Sequence, residues 1–340
     1  MAFTETAVLD EAVVNALAQD ITTDALTRAG YQQTGYLFPR NQEKNATLWV
    51  ARQGYATYAA ADHFWLPIAY RDTLLTGSVA VTRDPHDCVV MQYQDAVGLT
   101  TCAEYDWRFL TPVKVTDSND NVHTVTLDAL GRVTTARFHG SETGKPVGYR
   151  NTPITLPTDV NTALKLTTPL PVAQLIRYVP DSWMKPTASG EKRPPHIVTL
   201  TTDRCDDDPA QQIRQQVTFS DGLGRLLQTA IRQAPGEAWQ RDESGALMKG
   251  PDGKPLSTFT PFRWLVTGRT EYDNKGQAIR TYQPYFLNDW RYVRDDSART
   301  DLHADTHYYD PTGRVWQVKT AKGYLKRVYF TPWWVASEDE

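Results

Sequence analysis

The chain has 340 residues, of which 40% are hydrophobic and 11% aromatic, and it carries a formal charge of -4. A net-acidic chain without a dense Lys/Arg stripe displaces few phosphate counterions, so no nucleic-acid partner is expected. The three cysteines, Cys88, Cys102 and Cys205, are widely spaced and odd in number, which fits neither a zinc pattern nor a disulfide framework; free, mostly buried thiols are expected.

Residues 7–29 carry the one helical pattern, with Leu9, Val13, Leu17 and Ile21 at helical spacing and Asp24 placed to cap a second short helix ending at Gly30. A short helical segment over 1–30 is therefore expected ahead of a β region over 31–340. Glu5, Asp10 and Glu11 precede any basic residue and no long apolar core follows, so no secretory signal is read here. No apolar run reaches membrane-spanning length, and membrane insertion is not expected.

From Gly35 onward strands are expected at 47–51, 79–82, 88–93, 100–109 and 113–116, separated by the turn segments Asp84-Pro85-His86-Asp87 and Asp117-Ser118-Asn119-Asp120-Asn121. Residues 140–171 and 180–195 are rich in Pro and polar residues and read as loop-rich connections. A strand at His196–Thr202, an acidic insertion at 203–209 and a long hairpin tip at 242–255 follow.

Four segments repeat a strand, a tight Asp-x-x-Gly turn and a second strand: Asp128 with Gly131 and Arg132, Asp221 with Gly224 and Arg225, Asp273 with Gly276 and Gln277, and Asp310 with Gly313 and Arg314. The aspartate can accept backbone N–H bonds and the glycine tolerates the positive φ that lets the strands re-pair, so each copy reads as a β-hairpin. Their intervals are unequal, which argues against a strict repeat period. The arginine after the glycine is placed to bridge neighbouring hairpins through carboxylates or carbonyls, although Gln277 replaces it in the third copy.

The repeated Tyr-Asp-x-x-Gly-Arg wording resembles that of YD, or Rhs, repeat proteins. The runs Gly54 to Tyr58, Phe64-Trp65-Leu66-Pro67, Gly98 to Thr101, Glu104 to Pro112 and Trp316 to Tyr324, with Trp333-Trp334, are similar to the carboxyl-terminal part of the B component (TcB) of bacterial insecticidal toxin complexes. The resemblance covers most of the chain. It implies a mainly β fold, a YD/Rhs hairpin sheet forming part of a hollow shell. It further implies a non-enzymatic component, without cofactor, that pairs with a C component (TcC) to enclose a cytotoxic effector domain. Such a component is made in the bacterial cytoplasm and released as part of a toxin complex. In that family a propeller region of B docks on the pore-forming A component; no such region is read here, so direct docking to A is not expected. No catalytic residue is carried over.

Several residue clusters invite other chemical readings. Asp301, His303, Asp305 and His307 share one face of an extended segment, as metal ligands or, more simply, as a polar strand face. Asp203, Asp206, Asp207 and Asp208 lack the glycine and terminal glutamate of a calcium loop and read as a solvated acidic turn. Gly140 to Pro146 has the wrong spacing for a phosphate loop, and no nucleophile elbow occurs. The aromatics Tyr282, Tyr285, Phe286, Trp290, Tyr292, Trp333 and Trp334 fit a sheet face or subunit seam better than a sugar platform. Two alternatives to the shell stay open: an extracellular glycan- or host-surface-binding module, signalled by exposed aromatic rows, and a carboxylate-based hydrolase, signalled by convergent buried carboxylates.

Overall fold

The computed structural model describes residues 3–17, 20–34, 48–157, 159–185, 192–293 and 302–339. The fold is mainly β, with three short α-helices among the described residues. Two compact units share the chain, the first made of residues 1–125, 129–131 and 138–147, the second of 126–128, 132–137 and 148–340.

In the first unit the N-terminal segment departs from the helical expectation. Thr4–Leu9 is a strand, paired antiparallel with Leu48–Gln53, which also pairs with Tyr31–Thr34. An isolated turn of helix is costly to nucleate, and pairing supplies the backbone partners that so short a helix lacks. Two helices do follow, Glu11–Ala16 and Thr23–Arg28. Their caps are Asp10, which accepts from Val13 N at 2.8 Å, and Thr22, which accepts from Ala25 N at 3.1 Å. Asp24 lies inside the second helix and pairs with Arg28.

A meander then runs through Tyr55–Tyr58, Pro67–Arg71, Val79–Arg83, Val90–Gln94, Thr100–Asp106, Thr111–Thr116 and Val122–Leu127, each strand antiparallel to the next. From residue 51 to residue 125 only Asp84 and Val89 are buried. A sheet ordinarily buries one face; this one is a single layer without a core of its own, so cross-strand pairs and turns must carry its order. Cys88 and Cys102 are free but exposed, and Cys205 is half-buried, against the expectation of buried thiols.

The second unit has a conventional core. Gln174–Val179, His196–Thr202, Ile213–Ser220, Leu226–Gln233 and Arg263–Thr267 pair antiparallel in succession, and Tyr285–Leu287 extends the row. Burial alternates with period two: His196, Val198, Leu200 and Thr202 point inward, as do Gln215, Val217 and Phe219 on the next strand. Complete burial of a residue such as Phe219 stabilises by about 1.5–3 kcal/mol. The connection over 140–171 contains a strand, Lys145–Gly148, and a helix, Val160–Leu164, whose Val160 and Ala163 cover the core. In the connection over 180–195, residues 186–191 lie outside the described residues. Tyr282, Tyr285 and Trp290 are core residues, whereas Trp333 and Trp334 are exposed. A six-stranded sheet closes the unit in the order Thr270–Tyr272, Ala278–Tyr282, Ala304–Tyr309, Val315–Lys319, Leu325–Phe330 and Val335–Glu338.

Candidate functional site

The four Asp-x-x-Gly segments close their hairpins in one way. The aspartate N–H donates to the carbonyl four residues on, at 2.9 Å for Arg132, 3.0 Å for Arg225, 2.9 Å for Gln277 and 2.9 Å for Arg314. One carboxylate oxygen accepts the N–H of that same residue, at 3.0 Å in Asp128, 2.9 Å in Asp221, 2.8 Å in Asp273 and 2.9 Å in Asp310. The other oxygen accepts the Nε–H of Arg132, Arg225 and Arg314 at 2.8, 2.6 and 2.8 Å. Gly131, Gly224, Gly276 and Gly313 hold φ between +78° and +88°, the left-handed residue of a type I turn with a bulge. Two residues further on, the register slips by one opposite Ser220, Tyr272 and Tyr309. Each slip leaves one extra residue on the second strand, which bends it and increases its twist.

The same closure occurs at Asp95, where no turn was expected, and at Asp117 and Asp242, where the sequence indicated a turn segment and a hairpin tip; their N–H groups donate to the Leu99, Asn121 and Ala246 carbonyls at 2.9, 2.9 and 3.0 Å. Longer versions start at Asp84 and Asp106, where Asp87 (φ +58°) and Leu110 (φ +50°) take the left-handed position. Asp84, Asp106 and Asp128 stand 22 residues apart, as do Asp95 and Asp117. The meander thus has a regular period after all, hidden because Asp87 and Asp120 stand where the repeat wording has glycine and the turn at Asp106 puts its left-handed residue, Leu110, one position later.

Neighbouring hairpins are tied by the tyrosine that precedes the aspartate. Tyr105 Oη donates to the Val90 carbonyl at 2.8 Å, Tyr272 Oη to Leu226 at 3.1 Å and Tyr309 Oη to Ala278 at 2.8 Å. Each acceptor occupies the same place, opposite the residue before the preceding turn's aspartate: Arg83 with Val90, Ser220 with Leu226, Tyr272 with Ala278. The turn arginine adds a second tie. With its edge on its own aspartate, it lays its face on the next aromatic ring: Arg132 on Tyr178 at 4.2 Å, Arg225 on Tyr272 at 4.5 Å, Arg314 on Phe330 at 4.3 Å. The bridge between hairpins is therefore a cation over a ring, in place of the expected carboxylates or carbonyls, because the arginine's own turn already takes its N–H fork. Gln277 supplies no cation, so Tyr309 is tied to the preceding hairpin through its hydroxyl.

These contacts set the carboxylate electrostatics. For Asp310 the Thr312 hydroxyl, then the Arg314 N–H and guanidinium, hold the carboxyl well below its usual 3.8. For Asp221 burial opposes ionisation, but the Arg225 N–H and guanidinium win and the group is again lowered.

The other candidate chemistry resolves into structural roles. Asp301 lies outside the described residues. Asp305 accepts from Ala321 N at 2.7 Å and His307 Nε2 meets Thr281 Oγ1 at 3.1 Å. Among the described residues no group of three His, Cys, Asp or Glu side chains gathers for a metal. Asp206 is buried rather than solvated, accepting from Arg150 N at 2.9 Å and Nε at 2.8 Å. A 380 Å³ groove beside Ser182 and His196 holds Asp159 and Asp181. Asp159 caps a helix through Thr162 N at 3.0 Å, and Asp181 pairs with Lys185 at 2.5 Å. His196 Nδ1 lies 2.8 Å from the Pro194 carbonyl and 3.3 Å from Ser182 Oγ. The carbonyl claims the Nδ1 proton, so this imidazole nitrogen is no base for the serine; the pair staples a loop.

Compared with solved structures, the chain aligns over its whole length with part of the crystal structure of TcdB2-TccC3, at 54% identity and a TM-score of 0.86, covering 16% of that chain. A Tc holotoxin pore from Photorhabdus luminescens aligns with the whole chain at 48% identity and a TM-score of 0.85, with 18% of its own chain covered. The chain matches an Rhs-type shell part of the TcB/TcC kind. TcdB2-TccC3 without its hypervariable C-terminal region aligns equally, with the whole chain covered at 47% identity and a TM-score of 0.84, over 18% of its length. The matched part of the Rhs shell therefore lies outside that hypervariable region, and the chain spans under a fifth of the solved chains it matches. No protein-family profile matches it. No curated protein matches it either.

Proposed function

We propose that this chain is the hairpin-wall portion of a TcB-type component, pairing with a TcC-type Rhs partner in a shell that encloses a cytotoxic effector and is released as part of a toxin complex. The observation that carries this reading is the match of the whole chain to part of TcdB2-TccC3 at 54% identity. The physical design supports it. A container wall needs lateral strength over a large area without a thick core, and serial tyrosine and arginine ties between hairpins supply that. Containment is the work, and the turn carboxylates serve the backbone and their own arginines.

The test is co-expression of the full chain with a TcC-type Rhs partner, followed by size exclusion and limited proteolysis. A co-eluting pair in which both chains resist protease supports the reading; a monomeric chain beside an unprotected partner overturns it. A second reading, a glycan-stacking face, draws on the exposed rings of Tyr308 and Trp316, 6.4 Å apart, and of Tyr329 in the same sheet. Saturable binding on a glycan array, lost in Trp316→Ala, would favour it.

A further inference from the structure

The registers of the first unit's meander assign each strand side chain to a face, because cross-strand partners share a face and neighbours along a strand alternate. Ala56 stands opposite Tyr70, and Tyr70 opposite Val79. Two residues on, Val81 stands opposite Tyr93, and Ala103 of the next strand opposite Val115. This face is therefore aliphatic and aromatic. The other face carries Thr82 with Gln92, Gln94 with Thr100, and Glu104 with Lys114, the last pair closed at 2.7 Å. The six-stranded sheet of the second unit has no such division: Gln317 and Arg327 share a face with Tyr308, and Lys326 shares the other with Val318.

An amphipathic sheet ordinarily lays its apolar face on another layer. Here that face is open: Tyr58 is 38% exposed, Tyr70 49% and Tyr93 44%, and none of its other strand residues is buried. Three features fit it to its own kind. The first is area. Seven strands at a spacing of about 4.8 Å, each about 17–20 Å long, make a plane of about 500–600 Å², so a face-to-face pair covers about 1,000–1,200 Å², the size at which specific interfaces begin. The second is charge. In a two-fold contact the residues near the axis meet their own copies, so a charged face repels itself. Within the strands this face has no carboxylate, and its basic side chains, Arg83 and His123, stand at its margins. The third is relief. Tyr70 stands between Ala56 and Val79, and Tyr93 between Val81 and Thr101. Each large ring thus has a small side chain on either flank, and a copy turned about a two-fold axis can seat its own rings there, as the facing layers of a sandwich interdigitate.

We propose that this face binds a second copy of the chain, the two meanders stacking as the layers of a β-sandwich. The inference goes beyond the shell reading and does not depend on it. Any other partner that uses the same face competes with the second copy for it.

The experiment is sedimentation equilibrium of the full chain over a wide range of concentration, with the fold of each variant checked by circular dichroism and thermal unfolding. Wild type is expected to approach twice the mass of one chain at the upper end. Tyr70→Lys/Tyr93→Lys sets like charges against one another in the contact and is expected to raise the dimer dissociation constant about a hundredfold. Thr57→Lys/Thr82→Lys, on the polar face, is expected to stay within about twofold of wild type. Nitration of wild type by tetranitromethane, followed by peptide mass spectrometry, gives a readout that needs no variant. Modification of Tyr70 and Tyr93 is expected to fall about fivefold from the dilute to the concentrated chain, while that of Tyr324, exposed in the other sheet, stays level. Should the tyrosine variant not fold, the nitration result decides. A chain that stays monomeric, a dimer that survives in the folded tyrosine variant, or nitration of Tyr70 and Tyr93 that ignores concentration overturns the proposal; each leaves the shell reading, which is tested by protection of a partner, untouched.

Discussion

Replacing Asp221 by alanine removes three hydrogen bonds at once: from Leu223 N at 2.9 Å, from Arg225 N at 2.9 Å and from Arg225 Nε at 2.6 Å. Loss of a side chain that caps backbone N–H groups costs about 1 kcal/mol. The guanidinium bond is charge-assisted but partly exposed, with Arg225 31% accessible, and adds about 0.5–1 kcal/mol after screening. Without its anchor Arg225 also loses part of its hold on Tyr272, so the total is about 2 kcal/mol, or a fall of about 4–8 °C in Tm for a unit near 200 residues. Asp221→Asn keeps an oxygen for the two N–H groups and loses the charge, so it is expected to cost about 1 kcal/mol or less. Calorimetry on the three proteins measures this directly. Equal losses in Asn and Ala variants would refute the backbone-capping argument, and a loss below about 0.5 kcal/mol in Asp221→Ala would refute the whole account of the turn.

Gln277→Arg restores the missing cation over Tyr309 with Asp273 ready to receive its fork, and is expected to stabilise by about 0.5–1 kcal/mol in urea unfolding. Tyr309→Phe deletes the bond to the Ala278 carbonyl and is expected to cost about 1 kcal/mol, with faster hydrogen exchange of the hairpin at Asp310. The carboxyls of Asp84, Asp117, Asp221 and Asp310 are lowered from 3.8 in the folded chain. Their stabilisation is therefore complete above that pH and lost as pH falls below it; acid unfolding followed by circular dichroism is expected to set in below about pH 4. At the alkaline end burial and the bond to Glu271 push Tyr282 up to about 12. That stabilisation is present below pH 10 and lost as pH rises through the folded value, so ultraviolet titration is expected to show a late tyrosine that Tyr282→Phe abolishes.

Much of this was legible in the sequence, and the gaps have physical causes. Asp221 with Gly224 announces a turn because both halves of its chemistry, the acceptor and the left-handed residue, are written within four positions. At Asp106 the left-handed residue is Leu110, whose conformation no propensity suggests, and the 22-residue period vanished with it. The ties made by Tyr105, Tyr272 and Tyr309 reach across a strand pairing, so their logic shows only once neighbours are known. The strand at Thr4–Leu9 was obscured because Leu9 and Val13 match a helical spacing, while the segment that claims its backbone, Leu48–Gln53, lies about forty residues on. Asp206 reads as one acid among four; only folding brings Arg150 to it.

The fastening of hairpin to hairpin uses a tyrosine hydroxyl, a main-chain carbonyl and a guanidinium at the turn, all at one end of each strand. None of these parts depends on which side chains occupy the middle of the strands. In the meander over 55–125, where the strand side chains are not buried, the sheet can therefore be relined, strand by strand, with small or large, greasy or charged residues, while a tie such as Tyr105 to Val90 stays made. A structure of this kind separates the question of what the surface touches from the question of whether the sheet holds, and leaves each free to change at its own rate.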